Sequence, residues 1–227
     1  MRRLLLTSLL TTALFTTATA SSPLFDNPDN VPFWGLRAGA DIAIPGDWKA
    51  GIGTMNMYDG KAGGFIGAIY QHPLAANLYV EPGVQLYYDT YRYDLVVMDD
   101  DDTSSPLSDP KVSKFGLRIP INFGFRFDVS DRLGIAPFTG PEFNWGFGGK
   151  IHLSGNYAHE TISDTNPYSD IWGWHHCNLS WNFGVSFDID YNWSFILSGA
   201  IGVTDQLKFD NITWRDNRFS ISLGYNF

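Results

Sequence analysis

The sequence predicts an all-β protein: an eight-stranded antiparallel transmembrane up-and-down β-barrel, preceded by a cleaved signal peptide. Three observations predict it: segments of alternating apolar and polar residues, connections that are alternately long and short, and an unusual composition. Aromatic residues make up 16% and charged residues 17% of the 227 residues, against a usual charged share of about 25%. Many aromatic residues and glycines with few charges favour β-structure with many turns over a helical bundle.

The first twenty residues have the three parts of a secretory signal peptide. A positive start at Arg2 and Arg3 precedes a short apolar run from Leu4 to Phe15, and Ala18-Thr19-Ala20 has the small-residue pattern of a cleavage site. The run is too short and too rich in Thr to cross a bilayer, which takes about 20 apolar residues. A disordered N-terminus or a single anchor helix is the alternative. The sequence therefore predicts three parts: a signal peptide at 1–20, a short periplasmic segment at 21–32 and an outer-membrane β-barrel at 33–227.

Cleavage makes an acidic chain more acidic. The loss of Arg2 and Arg3 lowers Lys+Arg from 15 to 13 while Asp+Glu stays at 24, so the mature net charge is −11. Such a chain is a poor candidate for nucleic-acid binding, which requires a basic face.

The chain has a single cysteine, Cys177, which excludes an intramolecular disulfide. We expect Cys177 to be a small apolar residue packed on a strand; a reactive thiol or an intermolecular bridge is the alternative.

Eight segments alternate between apolar and polar residues, as expected for strands with one face towards lipid and the other towards a polar interior. The first places Trp34 and Leu36 on its apolar face and Arg37 and Asp41 on the other. The second is the weakest, because both of its faces are apolar. In the third, Pro82 removes a backbone donor and predicts a bulge or a local gap in the pairing. The segments are 33–44, 61–72, 77–93, 115–127, 133–147, 177–190, 193–203 and 217–227.

The fourth segment has the cleanest alternation. Seven apolar residues from Phe115 to Phe127 share one face, opposite Arg118 and Arg126. Two arginines behind such a stripe need polar surroundings. The fifth and sixth segments repeat the pattern, with Glu142 and Asp188 on their polar faces.

The connections between these segments alternate in length. The long ones are Gly46–Gly60, Asp94–Lys111, Gly148–His175 and Thr204–Asp216, and the short ones are Pro73–Ala76, Ser130–Arg132 and Tyr191–Asn192. Outer-membrane barrels have long extracellular loops and short periplasmic turns. With an even number of strands, the order of lengths predicts that both termini lie on the periplasmic side.

Five short stretches also carry a family resemblance. They are Trp34–Asp41, Gly64–Ala68, Leu78–Tyr88, Leu117–Ile121 with Phe125–Phe127, and Pro137–Pro141. In this order they resemble the outer-membrane β-barrel domain family common in Bacteroidetes, the porin-family or PorT-like group. The resemblance covers 33–227 and implies location and fold. It implies no catalytic residue, no conduction and no specific role in secretion.

The polar faces of the strands together predict a network inside the barrel. An eight-stranded barrel is just wide enough for side chains to fill it, and buried charges must be paired and hydrogen-bonded. We therefore expect four arginines to pair with four carboxylates and form a packed polar plug; a narrow ion or water path is the alternative. The predicted lumen residues are Arg37, Asp41, Glu81, Gln85, Asp89, Arg118, Asn122, Arg126, Glu142, Asn144, Asn182, Asp188 and Arg218, and the predicted pairs join the four arginines to Asp41, Glu81, Glu142 and Asp188.

Other candidate sites are weak. The run Asp99–Asp102 lacks the spacing of a calcium loop, so a solvated acidic tip is expected; binding of Ca²⁺, or of divalent ions that bridge to a lipopolysaccharide surface, is the alternative. His175 and His176 are neighbours on a strand, point to opposite faces and are poorly placed to share a metal; interfacial positions are expected. Ser180 with His176 is the only Ser–His pair that could serve a lipid hydrolase at the rim. Aromatic girdles are predicted from Trp145, Trp172, Trp174, Trp181 and Trp193.

The sequence thus predicts a non-enzymatic barrel without cofactor or metal, with a structural, surface-binding or adhesion role through its extracellular loops. The alternative is a small porin-like channel for ions or small solutes; a rim lipid hydrolase and a soluble ligand-binding barrel are less favoured. The expected partners are outer-membrane lipid, lipopolysaccharide and the barrel-assembly machinery, and the expected oligomeric state is a monomer.

Tyr225 and the terminal Phe227 resemble the signal that the barrel-assembly machinery reads. Deletion of Phe227 is therefore expected to impair insertion.

Overall fold

The computed structural model describes residues 31–227 except 51–52, 56–57, 76, 94–95, 99–103, 107–110, 131, 153–165, 171, 191 and 210. The predicted signal peptide, most of the predicted periplasmic segment and the run Asp99–Asp102 lie outside these residues. Within the described part, no helix is long and apolar enough to cross a membrane.

Eight long strands form one closed antiparallel barrel. Each pairs with its neighbours in the sequence, and the last pairs with the first, so that Leu36 faces Tyr225 and Ile42 faces Phe219. The predicted eight-stranded barrel is therefore confirmed. The strands are β1 (Phe33–Pro45), β2 (Ala62–Ala75), β3 (Leu78–Tyr93), β4 (Lys111–Phe125), β5 (Leu133–His152), β6 (Cys177–Ile189), β7 (Trp193–Gly202) and β8 (Asp216–Asn226).

Shorter strands accompany the connections. Phe127–Ser130 continues the line of β4 and pairs with β5, and Tyr58–Gly60 pairs with the end of β3. We call the end of the barrel that carries the long connections the loop end, and the opposite end the turn end. The remaining short strands, all at the loop end, are Trp48–Ala50, Gly53–Met55, Val96–Met98, Ser104–Pro106 and Ile212–Thr213.

Strand β5 is longer than the sequence indicated. The third long connection was expected to start at Gly148, but the strand continues to His152. The register shifts between Gly146 and Gly148, and Ile151 then pairs with Val112 of β4. The extra glycines allow this bulge, so pairing survives where the apolar alternation stops.

The pairing gap predicted at Pro82 is confirmed. Strand β3 pairs with β4 at Pro82, opposite Ile121. The pairing stops over the next two residues and resumes at Gln85, opposite Arg118. The register is the same on both sides, so the irregularity is a gap and no residue is inserted. Pro120 lies opposite this gap, and neither proline can donate a backbone hydrogen bond.

The outer wall of the barrel is apolar. Trp34, Ile66 and Leu223 are among its side chains and are about 60% exposed. Ile44 lies ten residues beyond Trp34 on the same face of β1. Ten residues of strand at about 3.3 Å each, tilted by about 40°, span about 25 Å of height. This matches the apolar band of an outer-membrane barrel, and with the polar interior it places the protein in a bacterial outer membrane.

A charge placed on this band should cost more at its middle than at its edge. Ile221 of β8 lies at mid-height, between Ala40 of β1 and Leu197 of β7, whereas Tyr225 is near the turn end. We expect Ile221→Arg to lower the free energy of unfolding by about 2–4 kcal/mol and Tyr225→Arg by about 0–1 kcal/mol. Equilibrium urea unfolding in lipid vesicles measures both. Equal losses of stability in the two variants would contradict the placement of Ile221 at mid-height and Tyr225 near the edge of the apolar band.

Candidate functional site in the barrel interior

The inward faces of the strands bring polar side chains into the barrel. Alternation along each strand turns every second residue inward, so Arg37 is 5% and Asp41 0% exposed on β1, while Ala38 and Ala40 face outward. Polar side chains at the same level of neighbouring strands then meet across the interior. They form two groups, one towards the loop end and one towards the turn end.

Arg118 organises the group towards the loop end. Its side chain is 1% exposed. One terminal nitrogen donates to Asp41 Oδ2 at 2.5 Å, and the other donates to Asp89 Oδ1 and Oδ2 at 2.9 and 2.8 Å. The guanidinium carbon lies 4.2 Å from the ring centroid of Tyr87. Arg118 therefore bridges β1 and β3 from its place on β4.

A second arginine extends this group across the barrel. Arg218 donates from its two terminal nitrogens to Glu142 Oε1 at 3.0 Å and Oε2 at 2.8 Å, a paired geometry that fixes both side chains. Its Nε is 3.8 Å from Asp41 Oδ1, which also accepts a hydrogen bond from Ser220 Oγ at 2.6 Å. Charged side chains from five strands thus form one continuous layer. We call Asp41, Asp89, Arg118, Glu142 and Arg218 the charge layer.

Two charged members of the interior network, Lys114 and Asp216, are absent from the sequence-based prediction. Lys114 Nζ donates to Asp216 Oδ2 at 2.7 Å and lies 3.9 Å from Asp89 Oδ2. The Tyr91 hydroxyl also donates to Asp216. Lys114 is in phase with Arg118 on β4, so extending the alternation two residues before Gly116 would have found it. Asp216 lies just before the apolar stripe of β8 begins, where alternation gives no signal.

The group towards the turn end is centred on Asp188. Arg126 forms an ion pair with it, and Ser186 Oγ and Ser194 Oγ each donate to its Oδ1 at 2.7 Å. Three donors therefore satisfy this buried carboxylate: a guanidinium nitrogen of Arg126, just after β4, and the hydroxyls of Ser186 on β6 and Ser194 on β7. Buried carboxylates that are paired in this way hold neighbouring strands together.

The remaining predicted lumen residues lie on the loop-end side of the Arg126–Asp188 pair. Arg37 donates to Asn226 Oδ1 at 2.8 Å and lies 3.5 Å from Glu81 Oε2. Asn122 donates to Glu81 at 3.4 Å and accepts from Asn182 at 3.0 Å. Each of the four predicted arginines thus lies beside one of the four predicted carboxylates. Gln85 lines a cavity beside them, and Asn144 donates to Ser180 Oγ at 3.1 Å.

Side chains fill most of the interior. Cavities remain among the described residues. One, the lower cavity, is about 40 Å³ and lies towards the turn end between Arg37, Gln71 and Asn182; another, the upper cavity, is about 20 Å³ and lies towards the loop end between Lys114, Arg118 and Tyr168. A single water needs roughly 10–15 Å³ measured in this way. The charge layer lies between the two cavities. These two cavities therefore have room for a few waters.

An aromatic cluster covers the interior at the loop end. Trp174 is fully buried; its ring centroid is 5.0 Å from that of Trp214 and 6.0 Å from that of Tyr91, with the rings edge-on. Such contacts stabilise a cluster beyond the burial of its area. We call this cluster the aromatic cap; it comprises Ala43, Tyr91, Val112, Ile151, Tyr168, Trp174, Leu207 and Trp214, with Trp172 and Ile212 packed against it.

Backbone hydrogen bonds between the third and fourth long connections hold the cap in place. Trp174 forms a β-bridge with Leu207, His175 N donates to Gln206 O at 2.7 Å, and Lys208 N donates to Gly173 O at 2.7 Å. Gly173 has φ of 62°, a conformation that favours glycine. The described segments around Trp174 and Leu207 therefore fold inward over the barrel together.

Glycine also makes room for the cap inside the wall. Gly146 of β5 faces inward below Tyr168, and a Cβ atom at Gly146 would lie 1.8 Å from the Tyr168 hydroxyl. Burial raises the pKa of Tyr168, so its hydroxyl stays protonated. His176 stacks on the Tyr168 ring at 4.5 Å between centroids.

The cap corrects one prediction about the tryptophans. Trp172 and Trp174 were expected in an aromatic girdle, and this is wrong, because the connection that carries them folds into the mouth of the barrel. Trp145, Trp181 and Trp193 are about half exposed on the outer wall, where girdle residues lie. Trp214, which completes the cap, had no role in the sequence-based prediction.

The weaker candidates do not assemble into a site. Ser180 Oγ accepts from Asn144, and His176 Nδ1 lies 2.8 Å from Gly146 O, so no Ser–His hydrogen bond is formed. Cys177 is exposed at the start of β6, so its expected packed position is wrong. Cys177 is the first residue of β6, at the point where the barrel wall meets the third long connection. Among the described residues, no group of three His, Cys, Asp or Glu side chains could hold a metal ion.

Solved structures of other proteins resemble the chain at low sequence identity. Ail, the attachment invasion locus protein of Yersinia pestis, is 14% identical, with a TM-score of 0.42 over 87% of this chain and 99% of that chain. Neisserial surface protein A is 16% identical, with a TM-score of 0.44 over 86% and 97%. The outer membrane protein OprG from Pseudomonas aeruginosa is 10% identical, with a TM-score of 0.47 over 87% and 97%. No protein-family model and no curated protein matches the chain.

Proposed function

We propose that this outer-membrane barrel is a non-enzymatic surface protein that acts through its long loops, in a structural, surface-binding or adhesion role. The observation that carries the proposal is the filled and covered interior. The charge layer crosses the lumen, the aromatic cap covers it, and the two cavities on either side of the charge layer have room for a few waters. The surface available to a partner is then the surface of the loops, which the barrel holds outside the cell.

The acidic second loop suggests what that surface binds. Residues 94–110 carry six Asp and no Lys or Arg. A dense negative charge attracts cationic surfaces and divalent ions at the lipopolysaccharide layer. The proposal therefore includes lipopolysaccharide and outer-membrane lipid as partners of a monomeric barrel. It also retains the resemblance to the Bacteroidetes porin-family group, without any role in secretion.

A conductance measurement separates this proposal from the small-channel alternative. Refolded full-length protein in planar bilayers is expected to give no channel steps above protein-free bilayers. Stable single-channel steps would overturn the closed interior and favour a narrow ion path between the two polar cavities.

An attachment assay tests the loop role directly. Cells that display the protein are expected to adhere to polylysine-coated surfaces more than cells without it. Replacing all four residues of Asp99–Asp102 with Asn should remove most of that difference at low salt, where charge attraction is least screened. The matched control is Asp128→Asn, an exposed Asp at the turn end. Equal adhesion of all cells would overturn the surface-binding role.

The proposed link to the barrel-assembly machinery depends on the end of the chain. Phe227 is 70% exposed on the outer wall, and its ring lies 5.2 Å from that of Tyr225. We expect deletion of Phe227 to reduce the fraction of protein inserted in cells, because the exposed terminal aromatic is lost. Heat-modifiable gel mobility of washed outer membranes measures that fraction. Phe209→Ala, which truncates an exposed aromatic residue in the fourth connection, is the control. Equal inserted fractions for the wild type, the Phe227 deletion and Phe209→Ala would contradict the prediction.

A further inference from the structure

The lower cavity contains polar atoms that have no partner in the protein. Arg37, Gln71 and Asn182 line it, and their side chains are 4–6% exposed. Arg37 Nε, Gln71 Nε2 and Asn182 Oδ1 are buried without a hydrogen bond. A buried polar atom without a hydrogen-bond partner destabilises the folded protein. Three such atoms around one cavity therefore point to a ligand that completes their hydrogen bonds.

The size of the cavity limits this ligand. Its volume is about 40 Å³, and one water occupies roughly 10–15 Å³ measured in this way. The space thus suits about three waters and excludes a metabolite of even a few heavy atoms. Buried waters in proteins commonly make about three hydrogen bonds each to groups that are otherwise unpaired.

The chemistry of the lining also selects water over an ion. Arg37 Nε and Gln71 Nε2 are donors, whereas Asn182 Oδ1 is an acceptor, so the occupant must both accept and donate. An anion would satisfy the donors but would face the carboxylates of Glu81 and Asp188, which line the same cavity. A cation would face the Arg37 guanidinium. Water meets both requirements without introducing a charge.

We propose that the lower cavity holds a cluster of about three ordered waters that hydrogen-bond Arg37 Nε, Gln71 Nε2 and Asn182 Oδ1. The cluster links β1, β2 and β6 at a level where no direct side-chain bond joins these three residues. It lies on the turn-end side of the charge layer. Its existence does not depend on the function proposed for the loops.

Water-edited solid-state NMR of the full-length protein in lipid bilayers tests the proposal. Magnetisation should pass from water to the Arg37 Nε–H and to the Gln71 side-chain amide severalfold faster than in Ile196→Phe. That substitution adds ring atoms to a residue lining the same cavity and should displace the waters. Ser198→Ala is the matched control, since it changes a lining residue that has no unpaired buried atom, and it should behave like the wild type.

A second variant keeps the test decisive if Ile196→Phe fails to fold. Gln71→Leu removes one donor and should slow the transfer at Arg37 without abolishing it. Slow transfer at Arg37 in the folded wild-type protein, equal to that in Gln71→Leu, would overturn the proposal. Xenon-induced shifts at the methyl groups of Ile69 and Ile196 would also overturn it, because xenon enters dry cavities.

Discussion

Replacing Arg118 with Met is expected to lower the free energy of unfolding by about 3–5 kcal/mol, because the change leaves buried carboxylates without their partner. Asp41 is completely buried and Asp89 is 5% exposed, and both accept hydrogen bonds from Arg118. Lys114, 3.9 Å from Asp89, is too far away to replace the lost bonds. Equilibrium urea unfolding in lipid vesicles measures the loss.

Two further variants show that the loss comes from the unpaired charges. Combining Arg118→Met with Asp41→Asn and Asp89→Asn should recover much of the stability, since a neutral interior avoids buried, unpaired carboxylates. Arg132→Met is the matched control: its side chain is 84% exposed and lies 3.7 Å from Asp190. An exposed pair of this kind is worth about 0–1 kcal/mol. Equal losses for Arg118→Met and Arg132→Met would contradict the role given to the charge layer.

Truncating the centre of the aromatic cap is the second change with a large expected effect. We expect Trp174→Ala to lower the free energy of unfolding by about 3–5 kcal/mol, because it leaves a cavity among rings that cannot collapse into it. The edge-on contacts with Trp214, Tyr91 and Tyr168 are lost at the same time. Unfolding in vesicles and limited proteolysis of the connections at the loop end measure the effect.

Trp172→Ala is the control for this change, since Trp172 packs against the cap and is only partly buried. It should lose clearly less stability. Conductance of Trp174→Ala adds a separate result. The charge layer remains intact in this variant, so the barrel should stay closed. Stable channels in Trp174→Ala would show that the cap alone seals the lumen.

The strands could be predicted from the sequence because their physics is local and periodic. One face of each strand meets lipid and the other a polar interior, so alternation marks both the strand and its inward residues. Arg118 and Arg218 were found in this way. Lys114 was missed because it lies one residue before Phe115, where the fourth predicted segment begins.

The aromatic cap could not be predicted in the same way. Trp174 and Trp214 lie in connections, where no periodicity tells inward from outward residues. Their burial depends on the bridge between Trp174 and Leu207, a contact between two separate connections. The extension of β5 to His152 was missed for a related reason, since a bulge at Gly146 and Gly148 breaks the alternation there.

The seam between β1 and β8 has a consequence for the order of folding. Across it, Arg37 bonds to Asn226 and Asp41 bonds to Ser220, residues that are 189 and 179 positions apart in the chain. Contacts between such distant positions form slowly, because nearly the whole chain must be brought together first. No ribosome-bound fragment that lacks β8 can close the ring or bury the Asp41 carboxylate with its full set of donors. Closure must therefore follow synthesis of the last strand, and any open sheet that forms before closure has two unpaired edges that must be kept from aggregating.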